Sequence, residues 1–100
     1  MGLKTKPFDV AEHIDDDVSQ AELLSEALHT GDISIITAAL GLIARARGMS
    51  QLANETGITR SALYSALKEG GNPTLDTVLK VLRALGVSLE ARPVREPEPV

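Results

Sequence analysis

Apolar and polar positions recur along most of this chain at the spacing of amphipathic helices, and residues suited to ending or starting helices punctuate the pattern. Ser19 with Glu22 three residues on forms a capping box, in which each side chain can satisfy a free backbone N–H near the helix start. Leu23, Leu24, Ala27 and Leu28 follow on one side, with Gly31 just beyond, so a helix over 20–29 is expected. Asp32 then caps a longer stretch in which Ile33, Ile36, Leu40 and Ile43 recur at steps of three and four up to Gly48. Its last turn holds Arg45 and Arg47, well placed for the negative end of the helix dipole.

Two shorter helices follow, one from Ser50 to a stop at Gly57 and one from Thr59 to about Lys68, before Gly70-Gly71-Asn72-Pro73 forces a turn. Thr74 caps a last helix with Leu75, Val78, Leu79, Leu82 and Leu85 inward and Gly86 as terminator. A weaker capping box, Asp9 with Glu12, predicts a short helix over 10–13, for six helical segments in all. Past Gly86, Val87, Leu89 and Ala91 alternate with Ser88, Glu90 and Arg92, the period of a strand with one wet face. A lone strand needs a partner: pairing with a symmetry mate would supply one, and packing of the apolar positions back on the core is the equal alternative. The charged, proline-rich end, 93–100, reads as a disordered tail.

One hundred residues suffice for one cored domain and not two. The apolar share is 43% but aromatics are only 2%, so the core must be aliphatic, which lets helices pack closely. Cysteine is absent, which excludes disulfides and thiolate metal sites. There is no basic stretch followed by an apolar run at the N-terminus, and no apolar segment of the roughly 20 residues that cross a bilayer, so a cytoplasmic protein without membrane contact is expected. The net charge of −4 conceals an uneven distribution: residues 1–32 carry two lysines against eight acids, whereas residues 33–86 carry six basic groups against three acids. An acidic front and a mildly basic body suggest two partners.

Chemistry concentrates in residues 50–68. The spacing of small and apolar residues there suits two short helices crossing steeply, a helix-turn-helix. Ala53 lies where the second helix presses on the first, and a larger side chain would overpack the crossing by about 1–3 kcal/mol. Gly57 can turn left-handed without a Cβ penalty. Leu52, Ile58, Leu63 and Leu67 form the seam, leaving Thr59, Arg60, Ser61, Tyr64, Ser65 and Lys68 on an outer face rich in donors. In a docked helix-turn-helix the start of the second helix reaches base edges while flanking groups hold phosphates. Arg60 is the candidate for reading a guanine edge bidentately, Ser61 and Tyr64 for contacts nearby, and Gln51 and Lys68 for phosphate. The competing reading is an ordinary helical hairpin with a solvated polar face.

These features resemble a known family, the addiction-module antidote proteins: HigA-like antitoxins with a phage-repressor (XRE) type helix-turn-helix. The resemblance covers roughly residues 8–89. It rests on Phe8-Asp9, Gly31-Asp32, Ala44-Arg45-Ala46-Arg47-Gly48-Met49-Ser50, Thr56-Gly57-Ile58, Arg60, Leu63-Tyr64, Ala66-Leu67, Gly71-Asn72-Pro73-Thr74 and Ala84-Leu85-Gly86. It implies an all-α, five- to six-helix lambda-repressor-like domain over 32–92, with a short C-terminal strand as an optional addition, behind an acidic helical segment, 1–31. It further implies an antitoxin that neutralises a RelE/HigB-like toxin by direct binding and, as a homodimer on operator DNA, represses their shared operon. RelE-like toxins are basic, and the acidic front is a natural counter-surface; Phe8, Glu12, Asp16, Glu22, Leu23 and Glu26 are the candidate toxin contacts. The chain departs from the family pattern at Ser61, where glutamate is usual, and at Leu23, where tyrosine is usual, which bears on operator sequence and on packing or toxin contact respectively.

Other chemistry finds little support. Asp15-Asp16-Asp17 lacks the alternating ligands and central glycine of a calcium loop. His13 and His29, far apart in sequence, have no convincing third ligand for zinc, and no nucleophile elbow frames the serines. No metal, cofactor or enzymatic activity is expected. Two alternatives to the antitoxin stay open: a stand-alone phage-type repressor, and a toxin inhibitor whose helix-turn-helix no longer binds DNA.

Overall fold

In a computed structural model, residues 17–94 are described, and they form five helices and no strand. These are α1 (Asp17–Thr30), α2 (Ile33–Arg47), α3 (Met49–Thr56), α4 (Arg60–Leu67) and α5 (Leu75–Leu85). The helix expected over 10–13, Phe8, Glu12 and Asp16, and residues 95–100 of the expected tail lie outside the described residues.

Local chemistry sets most boundaries. The side chains of Asp32, Thr59 and Thr74 accept from the backbone N–H of Ser34, Ala62 and Thr77 at 2.9, 3.1 and 3.1 Å, each satisfying a donor that the first helical turn leaves free. α1 differs from expectation: it already includes Asp17, so Ser19 is helix interior and not a cap. α2 and α3 meet at a 101° bend about Gly48. No single helix among the described residues is long and apolar enough to cross a membrane.

One aliphatic core joins all five helices. Leu24 of α1, Leu40 and Ile43 of α2, Leu52 of α3, Leu63 of α4 and Val81 of α5 are each under 2% exposed. Full burial of such a side chain is worth about 1.5–3 kcal/mol. α1 packs on α2, while α3 touches α2, α4 and α5 and so holds the middle of the bundle.

Several positions expected inward are not. Ile33 is 51%, Leu75 66%, Leu79 43% and Leu28 36% exposed, whereas Val81, Gln20 and Thr37 are buried. A helical period identifies an apolar stripe but not which edge of it faces the core. In α5 the buried line runs through Val81, Leu82 and Leu85 with Val78 half-buried, and this rotation turns Leu75 and Leu79 outward.

The strand expected over 87–92 is absent: residues 87–94 have neither helical nor strand structure. The chain leaves α5 through a left-handed Gly86 (φ 77°), whose N–H bonds the Arg83 carbonyl while the Val87 N–H bonds the Leu82 carbonyl. Val87 then packs against the core, but Leu89 is exposed, and no neighbouring strand among the described residues offers a ladder.

Candidate functional site

The turn between α3 and α4 is built by its own residues. Gly57 adopts φ 79°, ψ 7°, a left-handed conformation that strains side chains with a Cβ, and its N–H bonds the Ala53 carbonyl at 2.9 Å. Nothing lies within 4 Å of where a Cβ would stand, so the requirement for glycine is conformational, not spatial. Thr56 locks the bend from the other side: its hydroxyl donates to the Leu52 carbonyl at 2.8 Å and accepts from the Ile58 N–H at 3.2 Å. Thr59 caps α4 two residues after the glycine. Leu52, Leu63 and Leu67 are buried in the seam with Ile58 and Ala53 half-buried against it, as the spacing predicts.

With that seam inside, all seven outer-face candidates, Gln51, Thr59, Arg60, Ser61, Tyr64, Ser65 and Lys68, are exposed. Arg60 is held in place: its Nη1 donates to the Ser50 hydroxyl at 3.1 Å, and its guanidinium carbon lies 5.5 Å from the centre of the Tyr64 ring, within cation–π range. One side chain thus spans from the start of α3 to the second turn of α4. No acidic residue occurs from Gly57 to Ala66, so the face is lined by hydroxyl groups, a phenol and a guanidinium. Gln51 is tied back, its amide donating to Glu55 at 3.1 Å.

Two features of the surroundings were not readable from the sequence. Arg47, at the end of α2, donates from Nη2 to the Ala84 carbonyl near the end of α5 at 2.9 Å and pairs with Glu55 at 3.4 Å, tying α2, α3 and α5 together behind the turn. Gly41 of α2 lets the end of α4 come close, since an ideal Cβ there would stand 2.7 Å from the Leu67 carbonyl oxygen. Ser50 as the partner of Arg60 was likewise missed. A hydrogen bond across ten residues and a glycine turn leaves no periodic trace.

Of the candidates for the acidic front, three are described. Glu22 and Glu26 are exposed on α1, one turn apart, and Leu23 is half-buried beside them. Neither glutamate takes part in an ion pair among the described residues. Between α1 and α2, Leu23 and Ala27 face Ile35, Ala38 and Leu42 across an open groove of about 360 Å³.

A family model described as "Probable addiction module antidote protein" matches residues 4–93. A protein of Haemophilus influenzae, described only as an uncharacterized protein, is 47% identical over 95 residues, covering 95% of this chain and 98% of the relative. No solved structure matches the chain at a comparable level of significance.

Proposed function

The chain belongs to the addiction-module antidote family, and from that premise we propose that it is an antitoxin that binds a RelE/HigB-like toxin directly and represses its own operon through α3 and α4. The observation that carries the DNA-binding half is Arg60, exposed at the start of α4 and braced by Ser50 and Tyr64. A guanidinium with its fork pre-set loses less freedom on meeting the two acceptors of a guanine edge than a mobile one. Thr59, Ser61, Ser65 and the Tyr64 hydroxyl surround it as further donors, while Gln51 and Lys68 at the margins suit phosphate.

The turn geometry supports the same reading. Gly57 and the Thr56 hydroxyl fix α4 against α3, and Gly41 and Arg47 fix both against the rest of the bundle. A recognition element on such a frame presents its face without reorganising, which suits sequence reading. A homodimer, the usual state of such regulators, would meet a palindromic operator with half-sites about 34 Å apart. The toxin-binding half rests on the family and on the charge of the front, whose acids complement a basic partner. On this reading both activities act in the cytoplasm.

The test is co-expression with the toxin gene beside this chain's gene, with growth as the readout, and a titration of the purified chain against the promoter of the pair. Rescue of growth with promoter binding is expected. Rescue without promoter binding would leave an inhibitor that does not regulate, and promoter binding without rescue a stand-alone repressor.

A further inference from the structure

Helix α2 is apolar on more than its core side. From Ile33 to Ala44 it carries no charged residue. Leu40, Ile43 and Ala44 are buried in the core, while Ile35, Ala38 and Leu42, at i, i+3 and i+7, form a second apolar line on the other side. Ile35 is 45% and Leu42 37% exposed, an uncovered stripe on a kind of helix that is ordinarily covered all round. With Leu23 and Ala27 of α1 this stripe forms the groove between the two helices. Its length, two helical turns, fits the apolar face of one more helix laid along it.

Charge selects the occupant. Glu26 stands on the groove wall and Glu22 one turn before it, both exposed and outside any ion pair among the described residues, and α1 carries no lysine or arginine. A second copy docking groove to groove would bring an equally acidic rim to the contact, with no lysine or arginine of α1 on either side to offset it. The chain's own residues 1–16 carry two lysines against four acids and add more of the same sign. A helix with an apolar stripe and basic flanks meets the groove without either cost.

Resting on the reading that α1 belongs to a toxin-binding front, we propose that the groove between α1 and α2 seats an amphipathic helix of the partner protein, apolar toward Ile35 and Leu42 and flanked by lysine or arginine toward Glu22 and Glu26. The apolar stripe supplies affinity, and the glutamates supply orientation and association rate.

The experiment titrates the isotope-labelled full chain with two synthetic helical peptides that share a leucine stripe at i, i+3, i+4 and i+7, one flanked by lysines and the other by glutamates. At low salt the lysine peptide is expected to bind about tenfold tighter, an advantage that fades as salt is raised. It should shift the amides of Leu23, Ala27, Ile35 and Leu42. Ile35→Glu and Leu42→Glu should each weaken it about tenfold or more while lowering the thermal midpoint by only several degrees and leaving the helix content in place, since 45% and 37% of these residues already meet water. Equal binding of the two peptides, or shifts centred on α4, overturns the proposal. So does concentration-dependent self-association that Leu42→Glu abolishes, which assigns the groove to a second copy. A growth assay separates this from the antitoxin reading. If the unmodified chain fails to rescue cells from its neighbouring toxin, that reading falls; if it rescues and Leu42→Glu rescues equally well, only the groove assignment falls.

Discussion

Replacing Arg60 separates recognition from folding. The side chain is exposed, and the two partners it has, the Ser50 hydroxyl and the Tyr64 ring, are exposed too, so Arg60→Ala should change stability by no more than about 0.5 kcal/mol. On DNA the loss is larger. A bidentate arginine–guanine contact is worth about 1–3 kcal/mol, equivalent to about five- to 150-fold in affinity. Ser50→Ala removes only the brace, an exposed hydrogen bond worth no more than about 0.5 kcal/mol, part of which reaches binding as lost pre-organisation, so at most about twofold weaker binding is expected. Arg60→Lys keeps the charge but not the fork, and should resemble Arg60→Ala on the operator while holding phosphate-driven binding to unrelated duplex. The assay is fluorescence anisotropy at one fixed salt concentration, on the promoter fragment and on a scrambled duplex of equal length. Equal losses on both duplexes would make Arg60 a phosphate contact and refute its assignment as a base reader, as would no loss on either.

Three stability predictions follow from the packing. Gly41→Ala puts a Cβ 2.7 Å from the Leu67 carbonyl oxygen, so α2 and α4 must separate; a loss of about 1–3 kcal/mol is expected in urea unfolding, and an unchanged midpoint would contradict the close approach. Thr37 is 2% exposed and its hydroxyl has no hydrogen-bond partner among the described residues, so Thr37→Val, which replaces that hydroxyl with a methyl, should stabilise by about 1 kcal/mol; destabilisation would show that the hydroxyl is satisfied. Arg47→Ala leaves the Ala84 carbonyl without this donor and Glu55 with Gln51 alone, and should lower stability by about 1 kcal/mol, measured by thermal unfolding, with no loss contradicting the tie between α2 and α5.

What the sequence disclosed was local. Asp32, Thr59 and Thr74 cap helices, and Gly48, Gly57 and Gly86 end them, because caps and left-handed turns depend on residues within one turn of each other. The seam of Leu52, Leu63 and Leu67 was legible for the same reason, and with it the outward face carrying Arg60. What it withheld depends on tertiary neighbours. The rotation of α5 that buries Val81 and exposes Leu79 is set by where α3 lies. Helix α1 runs on through Ser19, where a cap was expected, and the alternation at 87–92 had no strand among the described residues to join. The Ser50 brace, the reach of Arg47 to Ala84 and the close approach at Gly41 all join residues far apart in sequence, where periodicity is silent.

The most direct test is amide chemical-shift mapping of the full-length chain titrated with its promoter fragment. The largest changes are expected on residues 59–68 and on Ser50 and Gln51, with the groove between α1 and α2 unaffected. Changes confined to α1 or α5, or none at saturating duplex, would contradict this.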